Sequence, residues 1–389
     1  MLPGNNTCCG FRSSAGDVRV LFDLSIVPHA LGGVSRYLLS VAGALLEAAD
    51  QFGVDFVPLD VPAAHPGVPG PEMDCLLLET PFYLKIPFFR RIPIRKRCEE
   101  RSRADRLRKI AGGKAVFQHS GVQPEYPAGS ISVITMYDLS ALEYPQWYTK
   151  ETVLFAEKEA RLIDSGSSVM AISEWTRQRV IDYFGLPPER VFSAGGAADG
   201  IFAPGTPSCE VMKNIDLEPG GYLLHVGNFV PRKNIPFLLD VYSMSREKGI
   251  DIPLVLVGAG GWGDVEVDEG PGVRVLRNIS DRDMLELYRG ARALLCPSYF
   301  EGLGLPVLEA FACGTPVISS NATALADTVG NNGIMLDPAD HQAWVNEITA
   351  LEEPERVDEL RSMSGAAQRK NWQDIARGIC GFYRKIAGS

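Results

Sequence analysis

Two glutamates lie eight positions apart in the most informative segment of this chain, CPSYFEGLGLPVLEAFACGTPVIS at residues 296–319. These residues, Glu301 and Glu309, flank a Gly-Leu-Gly-Leu-Pro turn. The apolar run 292–296 predicts a buried strand, and Pro306 suits the first turn of a helix because its missing N–H costs nothing there. A strand, a glycine turn and a helix start together aim free backbone N–H groups and the positive end of the helix dipole at one point, which favours a phosphate or another anion.

A basic pair, Arg232 and Lys233, follows another apolar run, at 222–226. Two adjacent cations in a strand-to-helix loop could neutralise a departing diphosphate. The alternative is a solvated basic pair, although cations at a helix start oppose the helix dipole. Carboxylates beside an anion site would accept hydrogen bonds from hydroxyls, and a ligand with both phosphates and hydroxyls is a nucleotide sugar. The alternative for the acidic pair is an ordinary strand, turn and helix with surface acids.

The whole string at 296–319, with its turn and trailing Ala-Cys-Gly-Thr-Pro-Val, resembles the signature of retaining glycosyltransferases of family 4, which have the GT-B fold. That resemblance implies an α/β protein with two Rossmann-like parallel-sheet domains that face each other across a cleft. It also implies a C-terminal helix that crosses back to the first domain. Relatives of this kind include bacterial mannosyl-, rhamnosyl- and glucosyltransferases.

The same resemblance assigns roles to the two pairs of charged residues. Glu309 would hold the ribose hydroxyls of the donor, and Glu301 would hydrogen-bond the transferred sugar. Arg232 and Lys233, in a segment similar to the family's Gly-x-x-x-Pro-Arg-Lys-Asn element, would clamp the diphosphate without a metal. Backbone N–H groups of Gly304 and Leu305 would meet sugar or phosphate. The residues assigned to catalysis are Glu301, Arg232 and Lys233, and those assigned to the donor are Glu309, Gly302, Gly304, Leu305, Gly33 and Asn278.

The first half holds a segment, GGVSRY at 32–37, that is similar to a family element facing the diphosphate and the acceptor. Glycine lets a backbone approach a ligand closely, so Gly33 is placed at the donor and Arg36 in the cleft. The alternative is a glycine pair that only turns the chain. Asn278 lies in a stretch that resembles the one lining the nucleobase pocket of the family.

Residues 135–140, TMYDLS, resemble the family's His-Asp-Leu element, with Tyr137 in place of the histidine. Tyrosine can donate a hydrogen bond but does not titrate near neutrality. Tyr137 and Asp138 are therefore placed beside the acceptor. His119, at the end of another predicted strand, could also face the cleft, and its alternative is a structural role.

Two further motifs point to other chemistry. Residues 258–263 match the Gly-x-Gly-x-x-Gly dinucleotide fingerprint, but that fingerprint must open a helix, and an acidic stretch without helical period follows. Asp281 and Asp283 match the Asp-x-Asp by which other glycosyltransferases bind a metal. They follow Ser280 at the start of a predicted helix, where a cap and the helix dipole explain acids. Neither NAD nor a metal is expected, and no cofactor beyond the donor itself.

Strand-like apolar runs, one of them at 75–78, alternate with longer helical patterns over most of the 389 residues, which predicts parallel sheets covered by helices in two domains. The expected division is a flexible tail at 1–16, a first domain at 17–205 joined by a terminal helix at 371–389, and a donor-binding domain at 206–370. Residues 195–220 are rich in Gly, Pro and Ser and suit a linker.

Charge is distributed unevenly along this chain, whose net charge is −10. Residues 85–114 hold twelve basic and three acidic residues, with several apolar side chains between them. An acidic chain is an unusual nucleic-acid binder, so nucleic acid is not expected as a partner. The basic stretch predicts either a solvated helix face or a contact with an anionic membrane surface.

Eight scattered cysteines form no Cys-x-x-Cys pair, which favours reduced thiols in the cytoplasm. No export signal is evident, and no apolar run is long enough to span a bilayer. The sequence predicts a retaining glycosyltransferase that moves a sugar from a nucleotide-diphosphate sugar to a glycan or lipid-linked saccharide acceptor. The alternatives are a GT-B-fold epimerase and a non-catalytic binder of nucleotide sugars.

Overall fold

The computed structural model describes residues 18–25, 32–59, 105, 107–120 and 129–388, without 262, 264, 266, 268, 368 and 369. Two six-stranded parallel sheets form its framework, one in each half of the chain. Buried runs without alternation fill most strands, which is the pattern of sheets covered by helices on both faces. The prediction of two doubly wound parallel-sheet domains is thus confirmed.

Six strands in the order β2-β1-β3-β4-β5-β6 form the first sheet. Every neighbouring pair is parallel. The strands are β1 (Val18–Asp23), β2 (Val54–Leu59), β3 (Val116–His119), β4 (Ile131–Met136), β5 (Ser168–Ala171) and β6 (Val191–Ser193).

Six further strands form the second sheet in the order β12-β11-β10-β7-β8-β9, again all parallel. Its strands are β7 (Leu223–Val226), β8 (Leu254–Val257), β9 (Val273–Leu276), β10 (Ala293–Cys296), β11 (Val317–Ser320) and β12 (Ile334–Leu336). The chain winds one way from β7 to β9 and then crosses to β10 on the other side of β7. Ligands of open α/β sheets bind at such a switch point, outside the carboxyl ends of the strands.

Helices connect the strands in both halves. In the first half they are α1 (Gly33–Ala48), α2 (Ser140–Glu143), α3 (Lys150–Asp164) and α4 (Glu174–Phe184). In the second half they are α5 (Cys209–Asn214), α6 (Ile235–Glu247), α7 (Asp281–Gly290), α8 (Leu305–Cys313), α9 (Ala324–Val329), α10 (His341–Ala350), α11 (Pro354–Gly365) and α12 (Trp372–Gly388). Within the described part of the chain, none of these helices combines the length and apolarity that a membrane crossing requires.

The last helix, α12, packs on the first half of the chain. Its residues Ile375, Ile379 and Phe382 are buried in one core with side chains of β1 and α1. The Tyr383 hydroxyl donates a 3.2 Å hydrogen bond to Gln118 of β3. Helical spacing places these side chains on one face, so burying them requires the helix to return to the first sheet. The predicted crossing of the terminal helix is confirmed.

Some elements escape the sequence-based prediction. Strand β2 was not among the predicted strands. It contains Pro58, which is tolerated because β2 is an edge strand, where a missing N–H breaks no ladder bond. The predicted linker at 195–220 is only partly right, since α5 lies within it and Met212 is buried in the second core. The tail at 1–16, a strand predicted at 75–78 and the basic residues before 105 lie outside the described residues.

Candidate active site

The two loops that carry the charged pairs meet at the switch point of the second sheet. One loop follows β7 and forms a short 3-10 turn over Pro231–Lys233, and the other follows β10. Asn234 ends the turn in a left-handed conformation with φ 58° and begins α6. Its side-chain amide donates to the carbonyl of Pro297, at 3.2 Å, so the two loops are joined by a hydrogen bond beneath the charged groups.

Glu301 binds both cations of the basic pair. Arg232 Nη1 lies 3.0 Å from Glu301 Oε2, and Lys233 Nζ contacts Glu301 Oε1. The Ser298 hydroxyl donates to the same Oε1 at 3.0 Å. Burial alone would raise the pKa of Glu301, but Lys233 and Arg232 outweigh burial and lower the pKa to about 2. This ion triplet, Glu301 with Arg232 and Lys233, therefore holds one negative and two positive charges at neutral pH.

The glycine turn after Glu301 brings the two halves of the chain into contact. A Cβ at Gly302 would lie 1.9 Å from the backbone oxygen of Tyr137, so only glycine fits between them. Gly304 has φ 86° and begins α8 in the left-handed region that glycine adopts without strain. Leu305 follows and lies against Gly33 of α1, since a Cβ there would be 3.7 Å from the Leu305 side chain. Three of the predicted donor residues, Gly302, Leu305 and Gly33, thus lie where the two halves touch.

Glu309 lies on α8 and is 5% exposed. The Tyr288 hydroxyl donates to Glu309 Oε2 at 2.7 Å, and Arg36 Nη1 lies 3.5 Å from Glu309 Oε1. Burial raises the pKa of Glu309 to about 7, although Arg36 and Tyr288 oppose the shift. One carboxylate oxygen is thus held by tyrosine, while the other faces a cation from the opposite half.

Arg36 reaches across from the start of α1 to two acids of the second half. It forms ion pairs with Asp281 and with Glu309, and its guanidinium lies 5.5 Å from the ring centroid of Phe202. Asp281 belongs to the Asp-x-Asp motif, and the other aspartate, Asp283, accepts a hydrogen bond from the Ser280 hydroxyl at 2.7 Å in the cap of α7. Both acids of that motif therefore have protein partners. The described residues contain no group of three or more potential metal ligands.

Tyr137 and Asp138 lie at the end of β4, where the glycine turn meets the first half. The Tyr137 hydroxyl donates to the backbone oxygen of Ser120 at 3.3 Å, and burial raises its pKa well above the ordinary value. Asp138 accepts a hydrogen bond from the backbone N–H of Ser140 at 2.8 Å. The Tyr137 hydroxyl is therefore engaged within the first half, while the backbone oxygen of Tyr137 and the Asp138 side chain approach the donor turn, at 1.9 and 3.2 Å from a Cβ placed on Gly302.

The remaining two predicted residues, His119 and Asn278, differ in exposure. His119 is 4% exposed and packs edge-on against Phe117, with ring centroids 4.7 Å apart. Asn278 is exposed in the turn between β9 and α7, with φ 56°. The next element described after the Gly-x-Gly-x-x-Gly segment is strand β9, so the segment does not open a helix as a dinucleotide fingerprint would.

Sequence reasoning missed two groups that hold the acidic pair. Ser298 lies within the signature string, three residues before Glu301, but a serine at that distance carries no signal of its own. Tyr288 is a fully buried residue of α7 whose apolar spacing indicates only a core position. Its contact with Glu309 depends on how α7 packs on α8, which no local pattern reveals.

Two Rossmann-like parallel-sheet domains that meet at a seam, with the last helix packed back on the first domain, form the architecture of the GT-B glycosyltransferases. Among solved structures, sucrose-phosphate synthase from Thermosynechococcus elongatus has a TM-score of 0.66 at 20% identity, covering 96% of this chain and 100% of that one. The UDP complex of Anabaena HepE has a TM-score of 0.62 at 16% identity, covering 94% and 98%. The predicted GT-B fold is confirmed.

Sequence comparison specifies the family. The family described as Glycosyl transferases group 1 matches residues 212–371. O-antigen chain mannosyltransferase B of Escherichia coli is 32% identical over 268 residues, covering 66% of this chain and 70% of that protein. The chain belongs to the group 1 glycosyl transferases.

Proposed function

We propose that this glycosyltransferase moves a hexose, with retention of configuration and without a metal, from a nucleotide-diphosphate hexose to a saccharide acceptor. Similarity to an O-antigen chain mannosyltransferase supports mannose as the sugar and cell-surface polysaccharide synthesis as the process. The UDP bound to HepE, a protein of the same fold, supports a nucleotide diphosphate as the leaving group.

The ion triplet is the observation on which the proposal rests. Arg232 and Lys233 converge on one carboxylate, so the triplet by itself has a net charge of +1 beside the switch point. A departing diphosphate would supply the missing negative charge, and cations already held in place need little reorganisation as that charge develops. Two protein cations in this position can perform the task that a bound metal performs in other sugar transferases.

The acidic pair would hold the rest of the donor. Glu309 offers Oε1 towards the seam between the halves, where ribose hydroxyls could replace Arg36 as its partner. Glu301 would accept hydrogen bonds from the transferred sugar. Retention would follow if the acceptor attacks from the face that the diphosphate leaves, with a phosphate oxygen taking the acceptor proton. Gly33, Gly302, Gly304 and Leu305 would line the seam with backbone that can approach the donor closely.

Release of nucleoside diphosphate from GDP-mannose, UDP-glucose and dTDP-rhamnose, with and without saccharide acceptors, tests the proposal. We expect one of these donors to release nucleoside diphosphate at a rate that rises when acceptor is added. NMR should show an α-linked product from an α-linked donor, and EDTA should leave the rate unchanged. A product whose anomeric configuration is opposite to that of the donor would overturn retention, and loss of activity in EDTA would overturn metal independence. Interconversion of free nucleotide sugars would point to the epimerase instead.

We further propose that the acceptor is lipid-linked and that residues 85–114 contact an anionic membrane surface. Most of these residues lie outside the described part of the chain, so the support is their sequence alone. Each basic residue near an anionic membrane surface contributes roughly 1 kcal/mol to the free energy of membrane binding. Cosedimentation with anionic and with neutral vesicles tests this contact. Equal and negligible binding to both would remove the idea.

A further inference from the structure

Three aromatic rings from both halves of the chain form a row at the rim of the seam. Tyr144 and Trp147 stack with ring centroids 4.4 Å apart and an interplanar angle of 11°. Tyr299 of the second half continues the row, 6.3 Å from Trp147 at 21°. Tyr144 and Tyr299 are 38% and 39% exposed. This row, Tyr144 with Trp147 and Tyr299, is called the aromatic rim.

The aromatic rim is continuous with the ion triplet. Tyr299 lies two residues before Glu301, and its backbone N–H donates to the backbone oxygen of Arg232 at 2.8 Å. On the other half, Tyr148 follows Trp147 directly. Burial raises the pKa of Tyr148 to about 12, with Asp138 adding to the shift and Arg232 opposing it. The rim therefore starts where the transferred sugar would lie and leads away from it.

Packing between the halves covers only part of these rings. Phe300 performs that packing: it is 2% exposed and lies edge-on to Trp175 and Tyr144, with centroids 5.2 and 5.8 Å away. The rim residues on either side of it retain open ring surface. Clustered exposed apolar surface beside a polar site is typical of a binding surface.

The loop that carries Tyr144 and Trp147 is fixed at several points. Glu143 forms an ion pair with Arg179 of α4, and the Tyr148 hydroxyl contacts the Ser140 hydroxyl. At its far end the Thr149 side chain caps α3. Rings held in this way lose little conformational freedom when a ligand stacks on them.

We infer that the aromatic rim is a binding subsite for the saccharide chain of the acceptor, an inference that rests on the proposed function. A pyranose ring presents C–H groups that neighbouring oxygens polarise positively, and the faces of aromatic rings are negative. Stacking of this kind suits sugars and leaves their hydroxyls in water. Trp147 lies between the other two rings, so the outer rings Tyr144 and Tyr299, one on each half, are the ones left to meet a sugar. An acceptor that contacts both must be longer than a single sugar.

Acceptor-length dependence of the kinetics tests the subsite. Trp147→Ala and Tyr299→Ala are compared with Tyr183→Ala, a control at an equally exposed tyrosine of α4. The probes are methyl α-mannoside and linear α-mannotetraose, and thermal unfolding verifies that each variant folds. We expect about a five- to tenfold rise in KM for the tetraose, a smaller rise for the monosaccharide, and an unchanged dissociation constant for the nucleotide donor. The control should match the wild type.

Two outcomes would overturn the subsite. Equal effects on both acceptor lengths, or none, would mean that the rim does not bind the chain beyond the reacting sugar. A larger dissociation constant for the donor would mean that the rim binds the nucleotide or holds the two halves in their closed arrangement. If the wild type transfers no sugar at all, the proposed function fails, and NMR titration of the same variants with mannotetraose still decides whether the rim binds a saccharide.

Discussion

Replacing Glu309 by glutamine is expected to stabilise the protein at alkaline pH while weakening donor binding. The carboxyl is nearly inaccessible to water, and burial raises its pKa from an ordinary 4.5 to about 7 in spite of Arg36 and Tyr288. Two further acids, Asp281 and Asp199, add to the shift. Glutamine keeps the shape and an oxygen for the Tyr288 hydroxyl but carries no charge. The substitution thus removes the cost of ionisation together with the group that would hold the donor.

The sign of the stability effect follows from the proton balance. Between pH 4.5 and about 7 the unfolded chain releases the Glu309 proton and the folded protein retains it. The free energy of unfolding of the wild type therefore falls as pH rises through this window. A shift of about 2.5 pKa units corresponds to a loss of about 3 kcal/mol above pH 7. Glu309→Gln has no carboxyl to ionise and does not suffer this loss. Its free energy of unfolding should therefore exceed that of the wild type by about 1–3 kcal/mol at pH 8 and by under about 1 kcal/mol at pH 5.

Thermal unfolding at both pH values, together with calorimetric titration of the donor at pH 8, measures the two effects. The melting temperature of Glu309→Gln should rise by about 2–6 °C at pH 8. Its donor dissociation constant should increase about tenfold, because a charged acceptor is lost. Glu286→Gln is the matched control: this buried carboxylate binds the Ser208 N–H at 2.6 Å and Arg289, so its loss should destabilise at both pH values. An equal melting difference at pH 5 and pH 8, or unchanged donor affinity, would refute the reasoning.

Three other substitutions test the rest of the site. Tyr288→Phe removes the hydroxyl that binds Glu309, so the donor KM should rise about tenfold at pH 7, and the pH at which the KM changes should move upward. Steady-state kinetics from pH 6 to 9 would detect both effects. A change in KM that does not depend on pH would indicate a packing effect alone. Arg232→Ala or Lys233→Ala should lower kcat by about 10²–10³ in single-turnover assays while the donor constant changes less, and near-wild-type kcat in both would remove the ion triplet from the reaction. Gly302→Ala should lower the melting temperature and activity together, because its Cβ would lie 1.9 Å from Tyr137 O, whereas Gly200→Ala, with nothing within 4 Å of its Cβ, serves as the control.

Local signals were sufficient to predict the strand, turn and helix around Glu301. An apolar run, two glycines and a proline lie within about a dozen residues, and each restricts the backbone in one way. The structure has β10 at Ala293–Cys296 and α8 at Leu305–Cys313, close to the predicted bounds. Arg232 and Lys233 could likewise be singled out from the sequence, because cations at a helix start oppose the helix dipole. The roles of these residues came from the family resemblance and remain predictions.

Contacts between distant residues could not be read in the same way. Arg36 and Glu309 are 273 positions apart, and their approach depends on how two separately folded sheets face each other. Tyr137 stands where the family resemblance has a histidine, but its hydroxyl is bound within the first half, and its backbone oxygen lies against Gly302 of the donor turn. Sequence patterns report which face of an element is buried. They do not report which element covers it.

Charge in the ion triplet restricts how the reaction can depend on pH. With its pKa lowered to about 2, Glu301 stays ionised throughout the range from pH 6 to 9, so it cannot accept the acceptor proton as a base that titrates during catalysis. Its effect is to keep Arg232 and Lys233 in place, since a buried cation without a partner would be costly. In the proposed reaction the proton must then pass to the leaving phosphate. We expect kcat with saturating substrates to be flat from about pH 6 to 9, while the pH dependence falls on donor binding through Glu309. A base-like limb in kcat near pH 7 would require a titrating group that the ion triplet does not contain.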